Sequence, residues 1–126
     1  MPADQHTATA VDNNTQVEQL AQISAAMMSV YTEQFGRKPA RAHSHYIDGD
    51  SIACFLRGTL TAAERRLTTL DEHQRLRDMR MLFQYSAEDE FRDAVEQITG
   101  RVVVSFISGI DTKADVASEI FLLEPA

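Results

Sequence analysis

Residues 101–123 read RVVVSFISGIDTKADVASEIFLL, two β-branched and aliphatic runs separated by small and polar residues. Val102–Ser108 and Val116–Leu123 are read as strands, joined through Gly109–Asp115 in a hairpin looser than a two-residue turn. Both alternating sets of side chains are apolar. Val102, Val104 and Phe106 oppose Val103 and Ile107, and Ile120 and Leu122 oppose Phe121 and Leu123. A strand with one wet face alternates between apolar and polar residues, whereas a strand covered on both faces does not. The sheet containing this hairpin therefore needs two covers, and one layer of helices supplies one.

Upstream, Leu76, Met79, Phe83, Ala87, Phe91, Ala94, Val95 and Ile98 keep helical spacing up to Gly100, a residue suited to closing a helix. That helical region opens at Thr61-Ala62-Ala63-Glu64, a capping box directly after Gly58-Thr59-Leu60. It runs on as one helix, bends near Asp71–His73, or restarts at Ser86 with Asp89 as partner. Before it, Arg41–Ile47 and Ser51–Arg57 have period two and bracket Asp48-Gly49-Asp50, a turn able to supply positive φ. The spacing of Val17, Leu20, Ser24, Met27, Met28, Tyr31 and Phe35 predicts a helix near residues 16–35, capped by Thr15 with Glu18 and closed by Gly36. The order is α-ββ-α-ββ. Its fold class is α+β, two layers, with a four-stranded antiparallel sheet and the helices packed on one face.

A length of 126 residues fits one domain, expected over 15–126, and Met1–Asn14 reads as a flexible polar leader without the basic and apolar regions of a secretory signal. No apolar run approaches the roughly 18 residues of a membrane span. With 44% hydrophobic and 25% charged residues the composition is that of a soluble globular protein. The net charge of −7 argues against nucleic acid as a partner, because phosphate binding depends on Lys and Arg. The single cysteine, Cys54, lies in an apolar stretch, allows no internal disulfide and fits a reducing cytoplasm.

Three groups are candidate sites. His43 and His45, two apart on a strand, face the same side and could hold a transition metal with Glu119 or His73 as a third ligand; two imidazoles alone are not a site, and the pair reads as a solvated strand. Arg37, Lys38 and Arg41 follow the first helix and could anchor an anion, although cations there also complement the helix dipole. Arg65, Arg66, Arg75, Arg77 and Arg80 alternate with Glu64, Asp71, Glu72 and Asp78, the pattern of a solvated, ion-paired helix face, with Arg65 and Arg66 as candidate ligand contacts. No nucleophile elbow or glycine-rich phosphate loop is present, so no catalytic residue and no cofactor is assigned.

Phe35-Gly36-Arg37-Lys38-Pro39, Gly58-Thr59-Leu60-Thr61-Ala62-Ala63-Glu64-Arg65-Arg66-Leu67, Ile98–Ser108 and Glu119–Glu124 together resemble the MpsC-like family, over about Gln16 to Glu124. The resemblance implies a link to a Na+-translocating, membrane-potential-generating system, with genetic association to an ion or bicarbonate uptake complex. Without a span of its own the chain would be an accessory or regulatory subunit. The expected function is a non-enzymatic, cytoplasmic interaction domain, possessing a homodimeric form that covers the second sheet face and a membrane transport complex as partner. The alternative is a small-ligand or anion sensor.

Overall fold

The computed structural model describes residues 2–125, with side chains from residue 14 onward. Helix α1 runs Pro2–Phe35, followed by the hairpin β1 (Arg41–Asp48) and β2 (Ser51–Arg57). Three helices follow, α2 (Ala62–Thr69), α3 (His73–Ser86) and α4 (Glu88–Thr99), and then the hairpin β3 (Val103–Asp111) and β4 (Val116–Leu123). All four strands are antiparallel in the order β1-β2-β4-β3. The α+β class and its four-stranded sheet are as the sequence indicates.

The segment read as a leader, 1–14, is continuous with α1 from Pro2, so Thr15 lies inside the helix and is not its N-cap. The long helical region is broken twice. Asp71 takes φ 58 between α2 and α3, a conformation that short polar side chains tolerate, and Ala87 interrupts the chain between α3 and α4. Neither break uses Ser86 as a cap: its hydroxyl donates back to the Phe83 carbonyl. The expected capping box is present, Thr61 Oγ1 accepting from the Glu64 N–H at 3.2 Å and Glu64 Oε1 accepting from the Thr61 N–H at 2.9 Å.

The first hairpin turn needs no positive φ at Gly49. Asp48 accepts from the Asp50 N–H, and a register shift between Tyr46 and Asp48 absorbs the extra residue. A second bulge, between Val103 and Ser105, overturns the simple alternation read for β3. It turns both Val103 and Phe106 toward the helices and leaves Val104 exposed, so Val104 and Phe106 do not share a face.

Helices cover one face of the sheet. α1 lies across β1 and β2 and against α4, while α3 and α4 cover β3. Their inward side chains, among them Ile23, Met27, Tyr31, Leu76, Phe91 and Val95, meet Ile52, Leu56, Phe106, Ala117 and Phe121 in one buried core. Phe91 stacks on Phe106 with ring centroids 5.5 Å apart, and Phe106 meets Phe121 at 5.4 Å.

Candidate functional site: a buried polar cluster and an open sheet face

The covered face of β4 alternates Ala117, Glu119, Phe121 and Leu123, which sets a carboxyl group in the centre of the apolar core. Glu119 is fully buried. Its Oε1 accepts from Tyr31 Oη at 2.6 Å, Ser108 Oγ at 2.9 Å and Gln84 Nε2 at 3.4 Å, while the buried Oε2 has no partner. Burial pushes the Glu119 pKa up to about 8 against the opposing effects of the Tyr31 and Ser108 hydrogen bonds and the Arg80 charge. The carboxyl group is thus neutral below that pH, the state in which a bare buried oxygen is tolerated. The Tyr31 hydroxyl is itself held far above its usual range, first by burial and then by Glu119.

The cluster continues through α3. Arg80, also fully buried, donates through Nε to Gln84 Oε1 at 3.4 Å, through Nη1 to Glu64 Oε1 at 3.0 Å, and through Nη2 to Thr59 Oγ1 at 3.1 Å. Its guanidinium lies 3.7 Å from the Phe35 ring centroid, a cation–π contact in a desolvated setting. The expected stripe counted Met79 and Phe83 as inward and placed Arg80 on a solvated face. Instead Leu76, Arg80 and Gln84 point inward and Phe83 is exposed. The inward stripe is thus turned by one residue, about 100°, and this brings Gln84 to Glu119 as a donor that Met79 and Phe83 lack.

Three arginines saturate one loop. Arg37 donates to the Gly58 carbonyl at 3.2 Å, Arg80 to Thr59 at 3.3 Å and Arg65 to Leu60 at 2.8 Å, while the Asp115 carboxylate accepts the N–H groups of Thr59 and Leu60. Gly58 itself has φ +66, and a Cβ there would lie 2.7 Å from Ala40 Cβ. The segment Gly58–Leu67 is thus a backbone junction tying β2 to α2 and to the β3–β4 turn. Of the candidate anion contacts, Arg37 and Arg65 are engaged in this junction. Lys38 borders a groove on α1 with Glu33, Arg41 begins β1, and Arg66 is exposed on α2.

His43 and His45 do share a strand face, their ring centroids 5.2 Å apart. Glu119 points from the opposite face of the sheet, and His73 bonds Thr112 at the β3–β4 turn, so neither completes the pair. Among the described residues no group of three or more His, Cys, Asp or Glu could hold a metal. Cys54 is buried beside Glu119 with its pKa raised to about 11, chiefly by burial, and stays a thiol.

Among the described residues no helix covers the other face of the sheet. Its cross-strand rows, by register, are Arg41, Arg57, Val116 and Asp111; then His43, Phe55, Ser118 and Gly109; then His45, Ala53, Ile120 and Ile107; then Asp48, Ser51, Leu122 and Ser105. Ile107 is 48% exposed and Leu122 37%. The sequence reading that this sheet is apolar on both sides thus leaves aliphatic side chains in contact with water. A separate groove of about 600 Å³ runs between α1 and β1, lined by Val17, Leu20, Ser24, Met28, Ala42 and Ser44 among others.

No helix of the described residues is long and apolar enough to cross a membrane. No curated protein and no solved structure matches the chain. A family model described as "Na+-translocating membrane potential-generating system (MpsC)" matches residues 14–125, from the described part of α1 through β4, and on that match the chain belongs to the MpsC family.

Proposed function

We propose that this domain is a non-enzymatic accessory subunit of a Na+-translocating, membrane-potential-generating system, acting in the cytoplasm as a homodimer and not as the ion path. The observation that carries this reading is the family match over nearly the whole chain. Two features of the molecule favour a binding role over catalysis. Glu119, among the described residues the one carboxyl group with a strongly raised pKa, spends its contacts on Tyr31, Ser108 and Gln84, and it lines none of the surface grooves of about 260–600 Å³. Exposed aliphatic side chains on the open sheet face supply the apolar patch that an interaction surface needs. The sensor alternative loses two of its contacts, since Arg37 and Arg65 are held by the chain's own carbonyl groups.

Affinity purification of the tagged chain from its native cells in mild detergent tests the reading. Integral subunits of an ion transporter should co-elute in stoichiometric amounts. Their absence, with the tagged chain itself recovered folded, removes the transport role.

A further inference from the structure

We infer that the open sheet face seats a second copy of this chain, face to face about a two-fold axis lying between the two sheets. The inference rests on the homodimer reading above and adds to it the surface.

The face carries both signs of charge. Its β1 and β2 margin holds Arg41 and Arg57 at one end and Asp48 at the other, with His43 and His45 between, and its β3 margin holds Asp111. A two-fold axis along the strands lays β1 over β3 of the partner and keeps each row over its own counterpart. Arg41 then meets Asp111 of the partner subunit, twice by symmetry, and the imidazoles lie over the small or apolar edge of β3. A two-fold axis perpendicular to the strands, which lays His43 over His45 of the partner subunit, brings Arg41 over Asp48 of the partner subunit instead, so the cation meets a carboxylate in either arrangement.

Shape fits as well. Phe55 lies over Ser118 of the partner subunit in the strand-parallel arrangement and over Ala53 of the partner subunit in the perpendicular one, large on small in both. Four strands about 4.8 Å apart and about 26 Å long give a face on the order of 500 Å² per copy, about 1,000 Å² in total. That is the lower limit for a specific dimer, so a micromolar dissociation constant is expected. Aligned sheets packing about 10 Å apart would close both copies of the face at once, leaving no surface for further growth.

Sedimentation equilibrium of the full chain at micromolar concentrations tests this. The wild type should return twice 14.1 kDa. Leu122→Asp, which touches only the open face, should weaken the dimer about 100-fold or more by burying an unpaired charge, and Arg41→Glu about fivefold. Val17→Asp, in the groove between α1 and β1, should leave it unchanged. If Leu122→Asp loses its far-ultraviolet circular dichroism, Ile107→Lys on the edge strand replaces it. A monomeric wild type overturns the homodimer reading itself. A wild-type dimer that survives Leu122→Asp and Ile107→Lys, or that dissociates on Val17→Asp, leaves the homodimer standing and overturns the assignment to this face.

Discussion

The two faces of the sheet invert the usual arrangement. The covered face holds a carboxyl group, a guanidinium and an amide, all fully buried, whereas the open face holds Ile107, Ile120 and Leu122. On the covered side each polar group is placed by several others. Arg80 bonds Gln84, Glu64 and Thr59, and Glu64 is at the same time the reciprocal partner of the Thr61 cap. On the open side no described residue covers Ile107 and Leu122, which stay 48% and 37% exposed. Burial of polar groups demands specific partners and fixes one geometry, while exposed apolar groups leave a surface that another molecule can complete.

Breaking the covered face should have the largest effect. Arg80→Ala removes the only cation from the cluster and leaves Glu64 without its ion-pair partner, a change expected to cost about 3–5 kcal/mol. A urea midpoint within error of the wild type would show that the pair does not hold the fold.

Glu119 gives the cluster a pH signature. Its pKa in the folded chain is raised to about 8 from 4.5, so the native state holds this proton more tightly than the unfolded chain does. The stability it contributes is fully present below about pH 4.5 and is lost as pH rises through 8, an effect of up to about 5 kcal/mol. Denaturation midpoints should therefore fall between pH 5 and pH 9, and Glu119→Gln should flatten that slope. An equal slope in the variant would assign the pH dependence to other groups.

Smaller effects sharpen the contrast. Thr61→Ala should cost about 1 kcal/mol by leaving the Glu64 N–H without its side-chain acceptor, measured as a shift in the denaturation midpoint. On the open face, His43→Ala together with His45→Ala should leave bound metal, read by elemental analysis, unchanged. Stoichiometric zinc or nickel lost on mutation would contradict the solvated-strand reading.

The hairpins, the Thr61–Glu64 cap and the aliphatic side chains on both faces of β3 and β4 were legible because each rests on a local pattern. The inward position of Arg80 and Gln84 was not, because a periodicity that counts only apolar residues selects Met79 and Phe83. The signal lay elsewhere: Glu119 falls between Ala117 and Phe121 on the inward set of β4, and a carboxyl group there asks for donors from the covering helix. Leu76, Arg80, Gln84, Ala87, Phe91 and Val95 recur at helical spacing and supply them. The bulge at Val104 and the breaks at Asp71 and Ala87 carry no glycine or proline, and only tertiary packing decides them.

If the covered face holds the monomer together while the open face joins two copies, the two roles separate in the thermal midpoint as a function of protein concentration for the wild type, Arg80→Ala and Leu122→Asp. A dimer that forms only from folded chains gives a midpoint that rises with concentration. That rise is expected in the wild type and, from a lower starting point, in Arg80→Ala, with a flat line for Leu122→Asp. A flat wild-type line, or a Leu122→Asp line as steep as the wild type, would contradict that division of roles.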